Sequence, residues 1–575
     1  MPIQVQSDQT EQKTQQAPTA LEESHSRQNT SFFTTSMPLK RSSKHPLIPS
    51  GLHHMLLPLP LLLLLLITLQ QSVLQRIPDI RDPLYEDFFP HMQDAPTPLI
   101  IHLMSTDLFR RLGRVSQLSA KKFLFAHGNI TRAAHCNGVR IMSSIYVNIL
   151  NRNSPNEEHI TDTQSHAIQV AGLLHDIGHG PYSHLFEQLV SDARQGMHSP
   201  GLGPDLSEWN HEKQSADIVR YLFHNNGTDL VHKYNLPEDF VDAVCDMIQG
   251  ISPDKHHTKY ASSQDFNRYS LFTIVNADSE VGLDVDKFDY MRRDSRMCCR
   301  TQYAELVSQA IAAIMTNSRI EHDRIVYSFH CSEALVVFSH CVYLNYRYLY
   351  FNPYAVGLEL VIKDLIAHTL TQDRLAPYLR SIGAFSTLDD SLIDNTCNGS
   401  MHMHPDAHHL KTRFRAMDCY ELVGYRDYPH PHTETVSGLE QLHTCMHNSK
   451  YRFEQGVRNS QLSISDRDYV FVTCSLARFS KGTRSILSKV AFYDTADAQE
   501  PPRLQGPFLN KHKELLAKGC KCLFKPLQRN DAAMAYEKDI VPPHRACLQL
   551  SLYARTTDRT KVNELKRLFA QYTGN

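Results

Sequence analysis

Residues 175–184 read His175-Asp176-Ile177-Gly178-His179-Gly180-Pro181-Tyr182-Ser183-His184 and are the most informative stretch of this sequence. They follow an apolar run at 167–174 that predicts a buried helix, with Asp162 and Thr163 as candidate caps. A His-Asp pair at the end of a buried helix needs polar partners, because burying an unpaired polar or charged group is costly. A metal ion is one such partner, and a hydrogen-bonded structural pair is the alternative.

Two other segments offer the remaining ligands of a metal site. His135 ends the segment Arg132-Ala-Ala-His135, and Asp286 lies in Leu283-Asp-Val-Asp-Lys-Phe-Asp-Tyr290. Two imidazoles and two carboxylates form a mixed N/O set that suits Fe, Mn, Co, Ni or Zn and leaves open positions. A second His-Asp pair, His322-Asp323, stands in a polar stretch and predicts only a solvated turn.

Length and composition bound the class of protein. The chain has 575 residues, which allows two to four domains, and 41% hydrophobic residues, which argues against wholesale disorder. Its net charge of −2 excludes a polybasic nucleic-acid coat or an acidic tail. The 33 His favour a metal or acid–base site, and the 13 scattered Cys indicate free thiols in a reducing compartment.

Hydrophobic periodicity predicts a mainly α protein with four segments. Residues 1–77 form a disordered leader with a Leu-rich segment at 55–69, and residues 78–385 form a helical domain. A linker at 386–410 precedes an α+β C-terminal lobe at 411–575, with strands at 469–473 and 489–493 and helices at 411–422 and 560–572. A long helical stretch at 331–370 is expected to divide near Pro353.

The Leu-rich segment at 55–69 raises the question of membrane targeting. It is shorter than the roughly 20 residues that a spanning helix needs, and Pro58 and Pro60 interrupt it. Membrane anchoring is therefore the less favoured alternative, and we expect the protein in the nucleus or cytoplasm.

The order H…HD…D, with HDIGHGPYSH and DVDKFDY as local contexts, resembles the HD-domain metal-dependent phosphohydrolases. Within them, residues 80–572 are similar to the deoxynucleoside triphosphate triphosphohydrolases, including the vertebrate enzymes that combine a SAM and an HD domain. The resemblance implies hydrolysis of dNTPs to deoxynucleoside and inorganic triphosphate by a homo-oligomer, a dimer or a tetramer. It also implies a divalent Fe, Mn or Zn ion, with Mg as a second ion on the nucleotide, and the metal ligands His135, His175, Asp176 and Asp286.

The same resemblance implies roles for the residues around the metal. It places His179 and His211 beside the scissile ester, with His179 as the acid for the leaving oxygen. His179 would have an acidic partner, and Glu187 stands where the family usually has Asp. The triphosphate pocket would contain Arg132, His184, Lys287 and Tyr290. Gln117 and Asp294 would bind the sugar 3′-hydroxyl, while Leu118 and Tyr350 would crowd the 2′ position. Tyr350 also belongs to an aromatic-rich run at 343–350, for which a place in the core is the alternative.

The sequence departs from this family at several positions. Residues 1–77 lack the helical periodicity of a SAM domain. The positions that read an activating guanine nucleotide hold Ser105, Arg110 and Gly113, which puts activation by an allosteric nucleotide in question. Val342 replaces an arginine of the triphosphate pocket, for which Arg347 is the candidate substitute.

Two other functions therefore stay open. One is an HD-type phosphodiesterase or 5′-nucleotidase that acts on nucleoside monophosphates. The other is a catalytically lapsed protein that binds nucleotides or single-stranded nucleic acid through the basic segment 511–525, for which a solvated helix face is the simpler reading. Loss of the metal ligands separates these functions, because a binding protein survives that loss and an enzyme does not.

Overall fold

A computed structural model describes residues 82–194, 209–224, 229–277, 282–369, 372–393, 405–429, 436–476, 490–493 and 547–573. The predicted leader with its Leu-rich segment and the basic segment 511–525 lie outside these residues. Among the described helices, none combines the length and apolar character needed to cross a membrane.

Helices dominate the described residues, which confirms the mainly α fold class. Those preceding the first strand are α1 (Pro98–Ser105), α2 (Asp107–Arg111), α3 (Arg132–Asn153), α4 (Asp162–Leu174), α5 (His184–Arg194), α6 (His211–His224), α7 (Leu230–Lys233), α8 (Phe240–Gln249), α9 (Pro253–Lys259), α10 (Val285–Cys298) and α11 (Thr301–Thr316). Those that follow are α12 (Ser332–Asn345), α13 (Pro353–Thr369), α14 (Gln372–Arg380), α15 (Ile382–Phe385), α16 (Pro405–Arg415), α17 (Val436–Arg458) and α18 (Arg559–Thr573).

Helices α3, α4 and α10 form the centre that carries the candidate site, since α3 packs against both of the others. Helix α3 is buried along most of its length, as its run of apolar and small residues requires. Helix α4 begins one residue earlier than the caps Asp162 and Thr163 predict. Thr161 is the cap, because its hydroxyl accepts from the Gln164 amide while the Gln164 side chain accepts from the Thr161 amide.

A small sheet interrupts the helical domain, and the sequence did not predict its hairpin. Strands β1 (Ser318–Glu321) and β2 (Arg324–Ser328) pair antiparallel around a turn at His322 and Asp323, which both have positive φ. The exposed His322 confirms the predicted turn, and the Asp323 carboxylate accepts from the Tyr269 and Ser270 amides. The short strand β5 (Phe492–Tyr493) adds parallel to β2. The predicted strand at 489–493 therefore joins this sheet rather than the sheet of the C-terminal lobe.

The helical stretch at 331–370 divides as predicted. Helix α12 leads into a π-helical turn at Tyr346–Tyr350, and α13 begins at Pro353. Proline suits the first position of a helix, because the amide hydrogen that it lacks would have no partner within the helix there. The π-helical turn carries Tyr350, one of the predicted site residues.

The C-terminal lobe is α+β, as predicted. Strands β3 (Glu421–Pro429), β6 (Cys547–Ala554) and β4 (Tyr469–Ser475) form an antiparallel sheet in the order β3-β6-β4. Apolar residues of α17 and α18, such as Phe453 and Phe569, pack with one face, whereas Tyr553 packs with the main core.

The C-terminal lobe differs from the prediction in one helix. The helix expected at 411–422 runs instead over Pro405–Arg415, and Glu421 already begins a strand. Met417 has a φ of 55°, which a right-handed helix does not admit, so the chain turns there. Helix α16 thus begins inside the segment 386–410, and Leu388, Leu392 and Ile393 are buried in the main core.

Candidate metal centre and active site

Three chain segments bring the predicted metal ligands together. His135 lies in the first turn of α3, which Thr131 caps, and His175 and Asp176 directly follow α4. Asp286 lies in the first turn of α10, where the Asp284 carboxylate accepts from a backbone amide three residues later. All four ligands lie at helix ends. Caps fix the helix starts that carry His135 and Asp286, and a turn bond from the His179 amide to the Asp176 carbonyl oxygen follows α4.

Four donor atoms of these residues converge. The Nε2 atom of His135 lies 3.2 Å from His175 Nε2, 3.4 Å from Asp176 Oδ2 and 3.0 Å from Asp286 Oδ1. The Nε2 atom of His175 lies 3.3 Å from Asp176 Oδ2 and 3.4 Å from Asp286 Oδ1. With metal–ligand distances of about 2.0–2.2 Å, neighbouring donors of a tetrahedral or octahedral site are separated by roughly 2.8–3.6 Å. The observed separations match the edges of such a polyhedron.

The hydrogen bonds of the two histidines set their tautomers. His135 Nδ1 lies 2.7 Å from Asp289 Oδ2, and His175 Nδ1 lies 2.9 Å from the Gly172 carbonyl oxygen, an atom that can only accept. In the neutral rings the Nδ1 atoms therefore donate, and both Nε2 atoms direct lone pairs at the two carboxylate oxygens. A divalent metal between these facing lone pairs would satisfy all of them at once, so the residues fit such an ion.

The negative charge of the carboxylates raises the pKa of both histidines in the cluster. Burial lowers the pKa of His175, but the carboxylates of Asp176 and Asp286 oppose burial and raise that pKa to about 9. Burial likewise lowers the pKa of His135, and hydrogen bonds to three carboxylates raise it well above its usual value. The site attracts positive charge strongly.

A second group of histidines lies beside the first and consists of His179, His184 and His211. The His179 and His211 rings are stacked, with centroids 4.0 Å apart and planes 14° from parallel. Lone pairs of imidazole lie in the ring plane, so two stacked rings direct them side by side rather than at one point. This arrangement suits proton transfer better than metal binding.

Glu187 orients this second group. Its Oε2 atom lies 2.9 Å from His211 Nδ1 and 3.5 Å from His184 Nδ1, whereas His179 has no contact with it. His179 Nε2 lies 3.3 Å from Asp176 Oδ1 but is not oriented for a hydrogen bond. The acidic partner expected for His179 is thus found on His211 instead.

The pKa values of the two stacked histidines are shifted in opposite directions. Burial and the neighbouring charges of Arg132 and His211 lower the pKa of His179 well below its usual range. Burial also lowers the pKa of His211, but Glu187 outweighs that effect and raises it. His211 is therefore the ring that holds a proton most readily.

Two cations predicted to bind phosphate border the metal centre. Arg132 is buried, donates from Nε to Ser183 Oγ at 2.7 Å, and contacts the Asp176 carboxylate through Nη1. Lys287 Nζ donates to Asp284 Oδ2 at 3.2 Å. Arg132 is thus paired with the ligand Asp176 itself, and Lys287 with Asp284.

The residues predicted to bind the sugar carry two buried acceptor atoms without a donor among the described residues. Within the described residues, neither Gln117 Oε1 nor Asp294 Oδ1 accepts a hydrogen bond. Asp294 Oδ2 accepts from the Tyr350 hydroxyl at 2.8 Å, and burial raises the pKa of Asp294 to about 7. The Tyr350 ring packs edge-on to Tyr290, with centroids 6.2 Å apart, and Leu118 is buried. Tyr350 thus contacts a predicted sugar residue as well as the aromatic cluster.

The positions that depart from the family pattern are also placed. Ser105, Arg110 and Gly113 are exposed near α1 and α2. Val342 is buried in the core, and Arg347 donates from Nη2 to Asp427 Oδ2 on β3 at 2.8 Å. Arg347 is therefore engaged with the C-terminal lobe in this structure.

Comparison with known families agrees with this site. Residues 132–290 match the HD domain family, and this range contains all four converging ligands. This part of the chain is therefore similar to an HD domain. Helices α3 to α10 of the HD domain supply the mixed imidazole and carboxylate group that can hold a divalent metal.

Three relatives of this HD-domain chain are deoxynucleoside triphosphate triphosphohydrolases. The SAMHD1 protein of Danio rerio is 32% identical over 203 residues, which cover 34% of this chain and 31% of the relative. The homologue from Dictyostelium discoideum is 26% identical over 294 residues and 51% of each chain. The Bos taurus protein is 31% identical over 219 residues, 37% of this chain and 34% of the relative. The matches thus span a third to a half of the relatives' length.

Two buried residues around the site were not predicted from the sequence. Asp289 lies one helical turn after Asp286 and binds His135, so its spacing on α10 was a usable signal. Arg111 is fully buried and donates to the carbonyl oxygens of Ile177 and His179, which frame the His-Asp segment. Nothing in the local sequence distinguishes Arg111 from its exposed neighbour Arg110.

Proposed function

We propose that this protein hydrolyses deoxynucleoside triphosphates to a deoxynucleoside and inorganic triphosphate. The observation that carries the proposal is the convergence of the His135, His175 and Asp286 donor atoms, 3.0–3.4 Å apart, beside a stacked histidine pair and two cations. Asp176 Oδ2 lies 3.4 and 3.3 Å from the two imidazole Nε2 atoms. The activity that the relatives' names state supports the same reaction.

We propose Fe, Mn or Zn as the ion that His135, His175, Asp176 and Asp286 hold, with Mg accompanying the nucleotide. Both imidazole and carboxylate ligands suit these transition metals, and the set leaves coordination positions open. Such an ion supplies Lewis acidity toward a phosphoryl oxygen and lowers the pKa of water.

Arg132 and Lys287 would bind the phosphates. Arg132 already pairs with the ligand Asp176 and Lys287 with Asp284, so an incoming triphosphate offers these cations a second anionic partner. Arg132 is further fixed by its hydrogen bond to Ser183, which limits the positions its guanidinium can take. His184 and Tyr290 would complete this pocket.

The leaving 5′ oxygen of the nucleoside needs a proton. We propose that the His211–Glu187 pair donates it, because the carboxylate lies 2.9 Å from His211 Nδ1 and stabilises the protonated ring. His179 stacks on His211 and lies nearer to Asp176, where its free ring nitrogens can orient the phosphate. Glu187, which stands where the family usually has Asp, is long enough to make this contact.

Gln117 and Asp294 would recognise the sugar. Their unpaired oxygens, Oε1 and Oδ1, are acceptors that a 3′-hydroxyl can satisfy by donation. Tyr350 is tied to Asp294 and would exclude a ribose 2′-hydroxyl by crowding, together with Leu118. The preference for deoxynucleotides would follow from this arrangement.

Oligomeric state and cellular localisation are also part of the proposed function. We propose a homo-oligomer, a dimer or a tetramer, in the nucleus or cytoplasm, with a helical domain that extends at least to Ile393 and an α+β C-terminal lobe. An activating nucleotide would meet an altered site, since Ser105, Arg110 and Gly113 are exposed and offer a different set of side chains.

The test is hydrolysis by the full-length protein over a panel of dNTPs, NTPs and dNMPs, with Mn²⁺ or Mg²⁺ and with or without GTP. The two His-Asp pairs supply a matched comparison. His175→Asn removes a ligand atom of the metal centre, whereas His322→Asn changes the exposed turn, where asparagine tolerates the positive φ.

Inorganic triphosphate from dNTPs, lost in His175→Asn and kept in His322→Asn, is the expected result. Orthophosphate released from monophosphates would replace the proposal with a nucleotidase. An absence of metal-dependent turnover on the whole panel would reject an enzyme, and binding to nucleotides or single-stranded nucleic acid would then be measured.

A further inference from the structure

Asp289 is a buried carboxylate whose two oxygens are both fully used. Its Oδ2 atom contacts His135 Nδ1 at 2.7 Å and Arg293 Nε at 2.9 Å. Its Oδ1 atom accepts from the Tyr85 hydroxyl at 2.5 Å and from Arg293 Nη2 at 2.9 Å. Arg293 also pairs with Asp82 at 2.5 Å. Four donors thus hold one carboxylate behind the metal-binding ring.

We infer that Asp289 is a positioning residue that fixes His135 with its Nδ1 atom protonated and its Nε2 atom directed to the metal. The inference rests on the proposed metal centre and extends it to a hydrogen-bond network of residues that are not themselves metal ligands. Through Arg293 and Tyr85 the network fastens the first described residues of the chain, which include Asp82, to the metal ligand. Carboxylates in this position orient a ligating histidine and increase its basicity.

Gly138 gives independent support, because it leaves the space that the network occupies. It lies three residues after His135 on α3, on the same side of the helix. A Cβ atom there would lie 2.0 Å from Arg293 Nη2 and 2.1 Å from Asp289 Oδ1, distances that no real Cβ contact shows. Only glycine lets the Asp289–Arg293 pair approach the helix that carries His135.

The substitution Asp289→Asn tests the network with minimal change of shape. Arg293 donates one N–H to each carboxylate oxygen, so either orientation of an asparagine amide places its NH₂ group against an arginine donor. The side chain must then turn or shift, and His135 loses a fixed, charged acceptor. Asp289→Asn should therefore weaken metal binding without removing any metal ligand.

Asp364 supplies a matched control. It is a buried aspartate whose carboxylate accepts from the Tyr420 hydroxyl at 2.8 Å and pairs with Arg555 at 3.0 and 3.1 Å. The chemistry of its partners matches that of Asp289, but no histidine is among those contacts. Asp364→Asn should therefore disturb folding to a similar degree and leave metal binding unchanged.

The measurement is the affinity of full-length protein for Zn²⁺, by competition with a chromophoric chelator, beside the melting temperature of each metal-free protein. Loss of such a carboxylate typically weakens metal affinity about 10–100-fold, and we expect this in Asp289→Asn, with less than a twofold change in Asp364→Asn. Should Asp289→Asn not fold, Gly138→Ala serves instead, since its added Cβ displaces the same pair and should also weaken Zn²⁺ binding about tenfold or more.

The outcomes separate this inference from the proposed function. Equal Zn²⁺ affinity in wild type and Asp289→Asn would overturn the positioning role of Asp289 alone. An equal loss in Asp289→Asn and Asp364→Asn would reduce that role to a general structural one and also overturn the inference. A wild-type protein that binds no Zn²⁺, Mn²⁺ or Fe²⁺ would overturn the metal centre itself.

Discussion

Arg111 offers the sharpest test of how the fold holds the His-Asp segment at 175–179. Its Nη1 atom donates to the carbonyl oxygens of His179 and Leu388, both at 2.8 Å, and its Nη2 atom donates to the Ile177 carbonyl oxygen at 2.7 Å. The guanidinium lies 4.6 Å from the centre of the Phe385 ring. Burial lowers the pKa of Arg111 to about 10, so it stays charged at neutral pH. One side chain thus ties the His-Asp segment to the residues after α15.

The perturbation is Arg111→Met, which keeps an unbranched apolar stem and removes the guanidinium. Three hydrogen bonds from a charged donor contribute about 1.5–3 kcal/mol each, and removing them strands three buried carbonyl oxygens. Part of this loss is recovered, because the buried charge no longer has to be desolvated. We expect the free energy of unfolding to fall by about 3–5 kcal/mol, the range for breaking a buried charged network.

The assay is urea unfolding of the full-length protein, together with hydrogen–deuterium exchange of the amides at 177–180. Arg110→Met is the matched control, because Arg110 precedes Arg111 in α2 and is exposed. Its effect should stay within about 0.5 kcal/mol. Arg111→Met should also speed exchange at 177–180 and lower the proposed dNTP hydrolysis, since His179 moves with this segment.

The reasoning would be refuted by a loss below about 1 kcal/mol in Arg111→Met, the value of a single ordinary hydrogen bond. Unchanged exchange at 177–180 would equally refute it, because the three carbonyl contacts would then not restrain the segment. A similar loss in Arg110→Met would assign the effect to α2 as a whole rather than to the buried guanidinium.

Three further predictions concern the same site. Chelation of the metal should lower the free energy of unfolding by about 2.7 kcal/mol relative to protein with metal at 100 times its Kd, and re-addition should restore it; no change would argue against a bound ion. In Gly178→Ala the new Cβ would lie 2.3 Å from the His211 carbonyl oxygen, so the free energy of urea unfolding should fall by about 1–3 kcal/mol. In the control Gly113→Ala the new Cβ meets no atom within 4 Å, and the free energy of unfolding should barely change. Burial raises the pKa of Asp294 to about 7, so its stabilising protonated form is complete near pH 4 and is lost as the pH rises through 7. The free energy of unfolding of the wild type should therefore fall relative to that of Asp294→Asn over this pH range. Parallel curves for the two proteins would contradict the raised pKa.

The amino-acid sequence alone was enough to predict the helical class and the four candidate metal ligands. The apolar runs at 167–174 and 331–370 predicted α4 and the pair α12 and α13, because periodicity reports burial of one helix face. The ordered motifs singled out His135, His175, Asp176 and Asp286, because imidazole and carboxylate in fixed local contexts are specific signals. The break at Pro353 was also readable, since proline acts on its own backbone.

Only the tertiary structure decided which side chains meet. Tyr85 and Asp289 are 204 residues apart, and no local pattern encodes their hydrogen bond. Glu187 pairs with His211 rather than His179 because α5 and α6 determine the distance between them. The hairpin at 318–328 gained its third strand, β5, from a segment far along the chain. Periodicity describes a residue's nearest turns, whereas these contacts depend on how packed elements cross, and that geometry is set by the whole core.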